Sequence, residues 1–188
     1  MRTALVIVAI LLLVAIVVIF VAIGDRNQLV QERLAIGKQW MDVDNALQRR
    51  GEVAGDLVQT VQQYAGSEQP AIKQVSDARA ALAAARTPHD RIQANSQLDA
   101  ALSRLLLLAD RYPRLKSDED FVRLEQDLQD AENHIAVERR KYNEAVQRYN
   151  TDIELFPKNV AAGMFGFERN AAYFTTETGP RTAPHLAF

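Results

Sequence analysis

The chain has 188 residues, with 22 Lys or Arg and 24 Asp or Glu, so its formal net charge is −2. This balance argues against a nucleic-acid-binding protein, which would carry a basic surplus on one face. The absence of cysteine excludes disulfides, thiol catalysis and thiolate metal sites.

The first predicted element is a run of twenty consecutive apolar residues, from Ala4 to Ile23, without proline, glycine or charge. At 1.5 Å per helical residue this run measures about 30 Å, the thickness of the hydrocarbon core of a bilayer. We therefore predict that residues 1–24 form an uncleaved transmembrane anchor. The alternative is a signal peptide cleaved before Asp25, but the apolar core is about twice the usual 7–15 residues.

The charges that flank the run predict its orientation. Arg2 precedes it, whereas Arg26, Arg33 and Lys38 follow it. Because basic residues are retained on the cytoplasmic side, this asymmetry favours an outward N-terminus and a cytoplasmic body.

Residues 25–157 are predicted to form a bundle, because helical patterns run from Asn27 to about Phe156. Breaks are expected at Gly66 to Pro70, Thr87-Pro88 and Tyr112 to Ser117. The result is about four long helices joined by short connections, for which an elongated antiparallel up-down bundle is the simplest all-α arrangement.

Local signals predict where these helices begin and end. Thr87 before Pro88 is expected to cap the third helix, and Ser117 with Asp120 resembles a capping box for the fourth. Phe156, which precedes a proline, is expected to close the fourth helix, because such a residue avoids the helical conformation.

Apolar residues recur at helical spacing in the predicted helices. In the last helix they recur every seven residues, at Phe121, Leu128, Ile135, Tyr142, Tyr149 and Phe156. This repeat predicts a coiled-coil-like seam against neighbouring helices. The first helix of the bundle has a matching stripe at Ile36, Trp40, Val43, Leu47, Arg50, Ala54, Leu57, Val61 and Tyr64. Since no strong stop separates it from the anchor, we expect one helix to run from the bilayer into the bundle.

Arg50 is a charged residue on that apolar stripe, and Arg49 precedes it. The Arg50 guanidinium must reach solvent or find a carboxylate on a neighbouring helix. Glu132 and Glu138 are both candidate partners.

Residues 158–188 are predicted to form a short helix, from Ala161 to Phe167, followed by an extended tail. From Thr175 to Phe188 the chain contains Pro180 and Pro184 and no amphipathic period.

The sequence contains no pattern typical of a catalytic or metal site. His89, His134 and His185 lie in different segments without a ligand partner at helical spacing. A di-metal carboxylate bundle would need Glu-x-x-His motifs, which this chain lacks, and it also lacks a glycine-rich phosphate loop. We therefore expect no enzymatic activity, no cofactor and no bound metal.

Polar residues interrupt the last helix in a regular way, at Glu132, Asn133, Arg139, Tyr142, Asn143, Tyr149 and Asn150. Asn143 and Asn150 are seven residues apart and share a face beside the tyrosines. They are either ordinary exposed residues or a buried or interfacial hydrogen-bond ladder that fixes the register of the helices.

Several short motifs occur together between Asn27 and about Phe174. They include Arg49-Arg50, Tyr112-Pro113, Glu132-Asn133-x-Ile135, Arg139, Tyr142-Asn143 and Tyr149-Asn150. This combination resembles the LemA family of bacterial membrane-anchored proteins. The resemblance implies a helical bundle behind one N-terminal span of the bacterial inner membrane, a cytoplasmic body and no established enzymatic activity. Family members commonly carry Pro-Asn where this chain has Gly55-Asp56, so a fixed kink is not expected there.

The leading functional interpretation is a membrane-anchored scaffold, because an anchor and long apolar seams occur without a site for chemistry. Its expected partners are the lipid bilayer, further copies of the chain and a membrane protein. The alternative is a single-span sensor that binds a small molecule inside the bundle. Such receptors usually carry a domain on the opposite side of the membrane, where only Met1 to Thr3 precede the run.

Overall fold

The computed structural model describes residues 2–174, which form six helices. They are α1 (Arg2–Tyr64), α2 (Gln69–Ala84), α3 (Pro88–Ala109), α4 (Pro113–Lys116), α5 (Glu119–Asp152) and α6 (Lys158–Phe165). Among these described residues there is no β-strand. The prediction of an all-α fold is confirmed.

The longest element, α1, has 63 residues and measures about 95 Å at 1.5 Å per residue. It passes through Gly24 without interruption, so the apolar run and the first helix of the bundle form one continuous helix. Among the described side chains of α1, the first buried one is Leu29, and the apolar ones before it are exposed except for the half-buried Ala22. Within residues 2–174, α1 is the one helix long and apolar enough to cross a membrane, and it fits the predicted anchor.

The second long helix, α5, runs antiparallel to α1 along the whole body. It begins beside Tyr64, whose hydroxyl donates to Asp118 (2.7 Å), and its C-terminal end lies near Glu32. The adjacent Lys158 contacts Glu32 at 3.6 Å. Because α1 and α5 pack together over this length, they form the frame on which the other helices lie.

The helices α2 and α3 accompany α1 only in the half of the body that is distant from the apolar run. Arg79 of α2 lies over Gly55 of α1, and Arg91 of α3 pairs with Asp44 at 2.9 Å. Four long helices, α1, α2, α3 and α5, therefore surround the distal core, to which the short α4 also contributes. Between the apolar run and Asp44, α5, α6 and residues 166–174 cover α1.

The core has two apolar clusters along α1. The distal cluster joins α1, α2, α3, α4 and α5, and its members include Leu57, Val61, Val75, Leu98, Leu105, Leu115 and Phe121. The cluster nearer the apolar run joins α1 to α5 and α6 and includes Leu29, Val43, Leu47, Ile135, Tyr142, Val146 and Ala162. The predicted stripe of α1 is buried or half-buried from Ile36 to Tyr64, as its periodicity indicates.

The predicted end of α5 is wrong by four residues. The helix ends at Asp152, and Phe156 lies in the following turn with 82% of its surface exposed. The apolar seam of α5 therefore stops at Tyr149. The chain turns early because Lys158 returns to Asp152 and Glu32, where α5 and α1 still lie side by side.

One of the two predicted helix caps is confirmed. The Thr87 hydroxyl accepts a hydrogen bond from Asp90 N (3.1 Å) at the start of α3. Ser117 does not cap α5, because Asp118 takes that role and accepts from Phe121 N at 2.9 Å. The carboxylate is the stronger cap, since it also neutralises part of the positive helix N-terminus.

Two further expectations concern single segments. α1 shows no break at Gly55-Asp56, where no kink is expected. The short helix predicted at 161–167 is present, but it begins three residues earlier, at Lys158, and ends before Gly166. The extended tail predicted for 175–188 lies outside the described residues.

Candidate functional site

The polar residues of α5 meet an irregular segment, residues 168–174, that follows α6. Tyr142 and Tyr149 occupy the buried seam, and Asn143 and Asn150 come directly after them, so the four side chains form one strip along the helix. At 1.5 Å per residue, the two asparagines are about 10.5 Å apart along the helix axis.

Each asparagine forms a pair of hydrogen bonds with the backbone of one residue in the segment. Asn143 Nδ2 donates to Phe174 O (2.8 Å), and its Oδ1 accepts from Phe174 N (3.0 Å). Asn150 makes the same pair with Asn170, at 2.8 Å and 2.9 Å. The side-chain amides thereby act as a neighbouring strand would and satisfy backbone groups of a non-helical segment. We call this arrangement the asparagine clasp.

Two tyrosine hydroxyls extend the asparagine clasp. Tyr149 donates to Glu168 O at 2.9 Å, and the Tyr173 hydroxyl accepts from Asn150 Nδ2 at 2.7 Å. Burial raises the pKa of Tyr149 above its ordinary value. Its phenol therefore stays protonated, as a donor must.

Gly166 directs the chain into the clasp. It ends α6 in the left-handed conformation (φ 69°), and Phe167 N donates back to Ala162 O at 3.0 Å. This conformation favours glycine, and it closes the helix so that residues 167–174 return along α5.

An aromatic cluster lies where the segment meets α1. The rings of Trp40 and Phe174 stack with centroids 6.1 Å apart, and Tyr142 contacts both rings edge-on at 5.4 Å and 5.8 Å. The Arg139 guanidinium lies 4.9 Å from the centre of the Phe174 ring. Burial lowers the pKa of Arg139 below its ordinary value, a cost that the cation–π contact offsets in part.

Arg50 forms a separate buried cluster with α3. It donates to Asp99 and, at 3.3 Å, to Asn95 Oδ1, while Asn95 Nδ2 donates to Asp99 Oδ2 at 3.1 Å. The predicted partners Glu132 and Glu138 are therefore wrong. The reason is topological: the stripe of α1 faces α3 at this level, Glu132 is exposed, and Glu138 pairs with Lys141.

An ionic group connects α1, α5 and α6 at the end of the body near the apolar run. Lys158 contacts both Asp152 and Glu32. Burial and then the nearby Asp152 raise the pKa of Glu32. Burial also acts to raise the pKa of Asp152, but hydrogen bonds with Lys158 and Glu32 outweigh it and hold this pKa below its ordinary value. Of these two neighbouring carboxyl groups, Glu32 is therefore the one with the higher pKa.

The remaining predicted site residues lie apart from the clasp. Arg49 is exposed and contacts Glu52 at 3.8 Å. The Tyr112 hydroxyl donates to Glu68 at 3.0 Å at the distal end of the bundle. The others are exposed on the surface: Pro113, Glu132 and Asn133. Of the sequence-predicted residues, the structure brings together Arg139, Tyr142, Asn143, Tyr149 and Asn150.

A groove of about 850 Å³ opens between α3 and α5. Asp99, Arg139 and Asn143 contribute its polar groups, and Phe174 contributes an apolar surface. The groove therefore adjoins both the Arg50 cluster and the asparagine clasp. Among the described residues, no group of three or more His, Cys, Asp or Glu side chains is placed to hold a metal ion.

Several important residues were not identified from the sequence. The sequence pattern could have identified Asn95 and Asp99, because these polar residues are four apart and flank the apolar stripe of α3. In the structure they face Arg50. No such pattern identifies Phe174 and Tyr173, since they lie in a segment without periodicity.

Comparison with known proteins places most of the chain in one family. Residues 39–188 match the LemA family. Magnetosome protein MamQ 2 of Paramagnetospirillum magneticum is 36% identical over 74 residues, which are 39% of this chain and 27% of that protein. Magnetosome protein MamQ of Magnetospirillum gryphiswaldense is 32% identical over 69 residues, which are 37% of this chain and 25% of that protein. The aligned part thus spans about a quarter of the length of these curated relatives.

Proposed function

This chain belongs to the LemA family, and on that premise we propose that it is a non-enzymatic, membrane-anchored helical scaffold. It associates with copies of itself or docks partner proteins at the membrane. The observation that supports this proposal most is the continuity of α1, which joins the apolar run to the core of the bundle without a hinge. The angle of the anchor therefore sets the direction in which the body projects.

The proposed location is the inner membrane of a bacterial cell, with the body in the cytoplasm. The basic residues Arg26, Arg33 and Lys38 support this orientation, because they follow the apolar run closely and face the body side.

Assembly is supported by the length and exposure of the body. About 60 Å of α1 extends beyond Ile23, and α5 runs along most of it. Anchoring confines such rods to two dimensions and aligns them, which raises their effective concentration, so weak lateral contacts suffice for association.

Mild-detergent extraction of the full chain, followed by single-particle imaging, tests this proposal. We expect particles that contain several 21.0 kDa chains or a co-purifying membrane protein. A monomer at every accessible concentration, without any bound partner, would contradict the proposal.

A second candidate function is the sensing of a small molecule, which the groove between α3 and α5 favours. Its charged residues, Asp99, Arg139, Arg140 and Glu144, would select a polar ligand that carries both charges. A shift in melting temperature with candidate zwitterionic metabolites, abolished in Arg140→Ala, would support this function over the scaffold.

A further inference from the structure

The helix α6 has an unusual distribution of side chains. From Val160 to Phe167 it and its C-terminal turn contain only apolar residues and glycine. The small residues Ala161 and Ala162 are buried, whereas Val160 and Met164 are 53% and 69% exposed. A helix at the surface of a soluble protein buries its large apolar residues, so this arrangement is reversed.

The exposed apolar residues also cluster at this place. Five of the large ones lie within eleven residues: Leu155, Phe156, Val160, Met164 and Phe165. Elsewhere in the described body beyond Ile23 they occur singly along the chain, at Leu34, Met41, Leu107, Val122 and Val137. Isolated exposed apolar side chains are normal, whereas a cluster marks a contact surface.

The position of α6 relative to the apolar run indicates what this surface contacts. The Arg26 guanidinium lies 5.6 Å from the centre of the Phe165 ring, and Lys158 contacts Glu32 at 3.6 Å. The helix therefore descends along α1 towards the apolar run. Arg26 is three residues beyond Ile23, about 4.5 Å of helix rise, and the headgroup layer is about 5–7 Å deep on each side of the bilayer.

The cations of α6 and of the segment after it do not favour a mainly electrostatic contact, because they are already paired. Lys158 is paired with Asp152 and Glu32, and Arg169 pairs with Glu154 at 3.1 Å. The surface is also too small to hold two copies together by itself, since a stable interface buries about 800 Å² on each partner. An eight-residue helix with one free face offers far less.

We propose that α6 is a second membrane contact, in which Met164 and Phe165 insert into the headgroup layer of the leaflet on the body side and Val160, one turn before Met164, lies at the outer edge of that layer. The proposal rests on the proposed membrane anchoring. Insertion holds the base of the bundle against the bilayer, so the body cannot tilt freely about the anchor. Because the contact is apolar, it forms on neutral lipid and resists salt.

The absence of cysteine in the natural chain permits a direct test with single labelled cysteines. Full-length Met164→Cys is labelled with a polarity-sensitive fluorophore and reconstituted in phosphatidylcholine vesicles, with or without lipids that carry a shallow nitroxide quencher. Phe20→Cys reports the anchor. Leu107→Cys is the matched control, because Leu107 is 70% exposed at the distal end of α3.

We expect quenching at position 164 that approaches the quenching at position 20, is absent at position 107 and persists in high salt. Adding Val160→Asp to the labelled Met164→Cys chain is expected to abolish it, which shows that α6 rather than the dye causes insertion. Two results would overturn the inference and leave the anchor intact. One is quenching at position 20 but not at position 164, and the other is quenching at position 164 that Val160→Asp leaves unchanged. The label at position 164 could instead be buried without lipid quenching, and adding unlabelled protein could remove that burial. This result would identify a contact between copies and would also overturn the inference. Absence of quenching at 20 refutes the anchor itself.

Discussion

Asn150 of α5 exchanges two hydrogen bonds with the backbone of Asn170, one donated at 2.8 Å and one accepted at 2.9 Å. Asn143 repeats this arrangement with Phe174. Seven helical residues span about 10.5 Å, whereas four fully extended residues would span about 13 Å. A turn in which Tyr173 N donates to Ala171 O at 3.1 Å shortens the segment towards the spacing of the asparagines. The polar residues of the seam thus hold a non-helical segment in place along α5.

Replacement of Asn150 by alanine tests the asparagine clasp. We expect Asn150→Ala to lower the free energy of unfolding by about 1–3 kcal/mol, because it leaves partly buried backbone groups of Asn170 without these partners. Amide hydrogen exchange in residues 168–174 should accelerate at the same time. Asn133→Ala is the control, since Asn133 is exposed on the same helix. Equal exchange in the two variants would refute the role given to Asn150.

Fluorescence of Trp40 in α1, the single tryptophan of the chain, reports the packing of the 168–174 segment. Because Trp40 stacks on Phe174, Phe174→Ala is expected to shift Trp40 emission to longer wavelength and to lower stability by about 3–5 kcal/mol. Phe174→Leu keeps most of the apolar volume and should give a smaller shift. An unchanged emission spectrum in Phe174→Ala would show that the aromatic cluster does not form.

Arg49 and Arg50 provide a matched pair of adjacent residues. Arg50→Ala removes the donor to buried Asn95 and to half-buried Asp99, and we expect a loss of about 2 kcal/mol in the free energy of unfolding. Arg49→Ala removes only an exposed pair with Glu52 and should change stability by less than about 0.5 kcal/mol. Thermal melts in mild detergent distinguish the two. Similar melting temperatures would contradict the assignment of Arg50 to the core.

Asp118 gives a prediction for pH dependence. The hydrogen bond from Phe121 N, then that from Tyr64, lowers the pKa of Asp118 below its ordinary 3.8. Because the folded pKa is the lower one, this carboxylate stabilises the fold above its ordinary pKa, and the effect is lost as pH falls through the folded pKa. Asp118→Asn keeps a capping oxygen but not the charge. Its melting temperature should lie below that of the natural chain at pH 7, and the difference should shrink below pH 4. A difference independent of pH would show that the charge has no part in the cap.

The sequence predicts the periodic part of this structure and not the non-periodic part. The anchor, the seam from Ile36 to Tyr64 and the Thr87 cap follow from spacing and from local hydrogen-bond chemistry. The partner of Arg50 does not follow, because it depends on which helix faces the seam at that level. The clasp does not follow either, since Phe174 acquires its neighbours only after the chain turns at Gly166.

We propose that this chain is a scaffold whose anchored copies assemble in the membrane. Förster transfer between donor- and acceptor-labelled full-length chains, reconstituted together in vesicles at decreasing protein-to-lipid ratio, tests it most directly. A label at Leu107→Cys, on the exposed distal end of α3, leaves the clasp and α6 unmodified. We predict transfer that exceeds the value for randomly placed chains and persists on dilution with lipid until the copies dissociate. Transfer that follows the random value at every surface density, without a co-reconstituted partner, would contradict it.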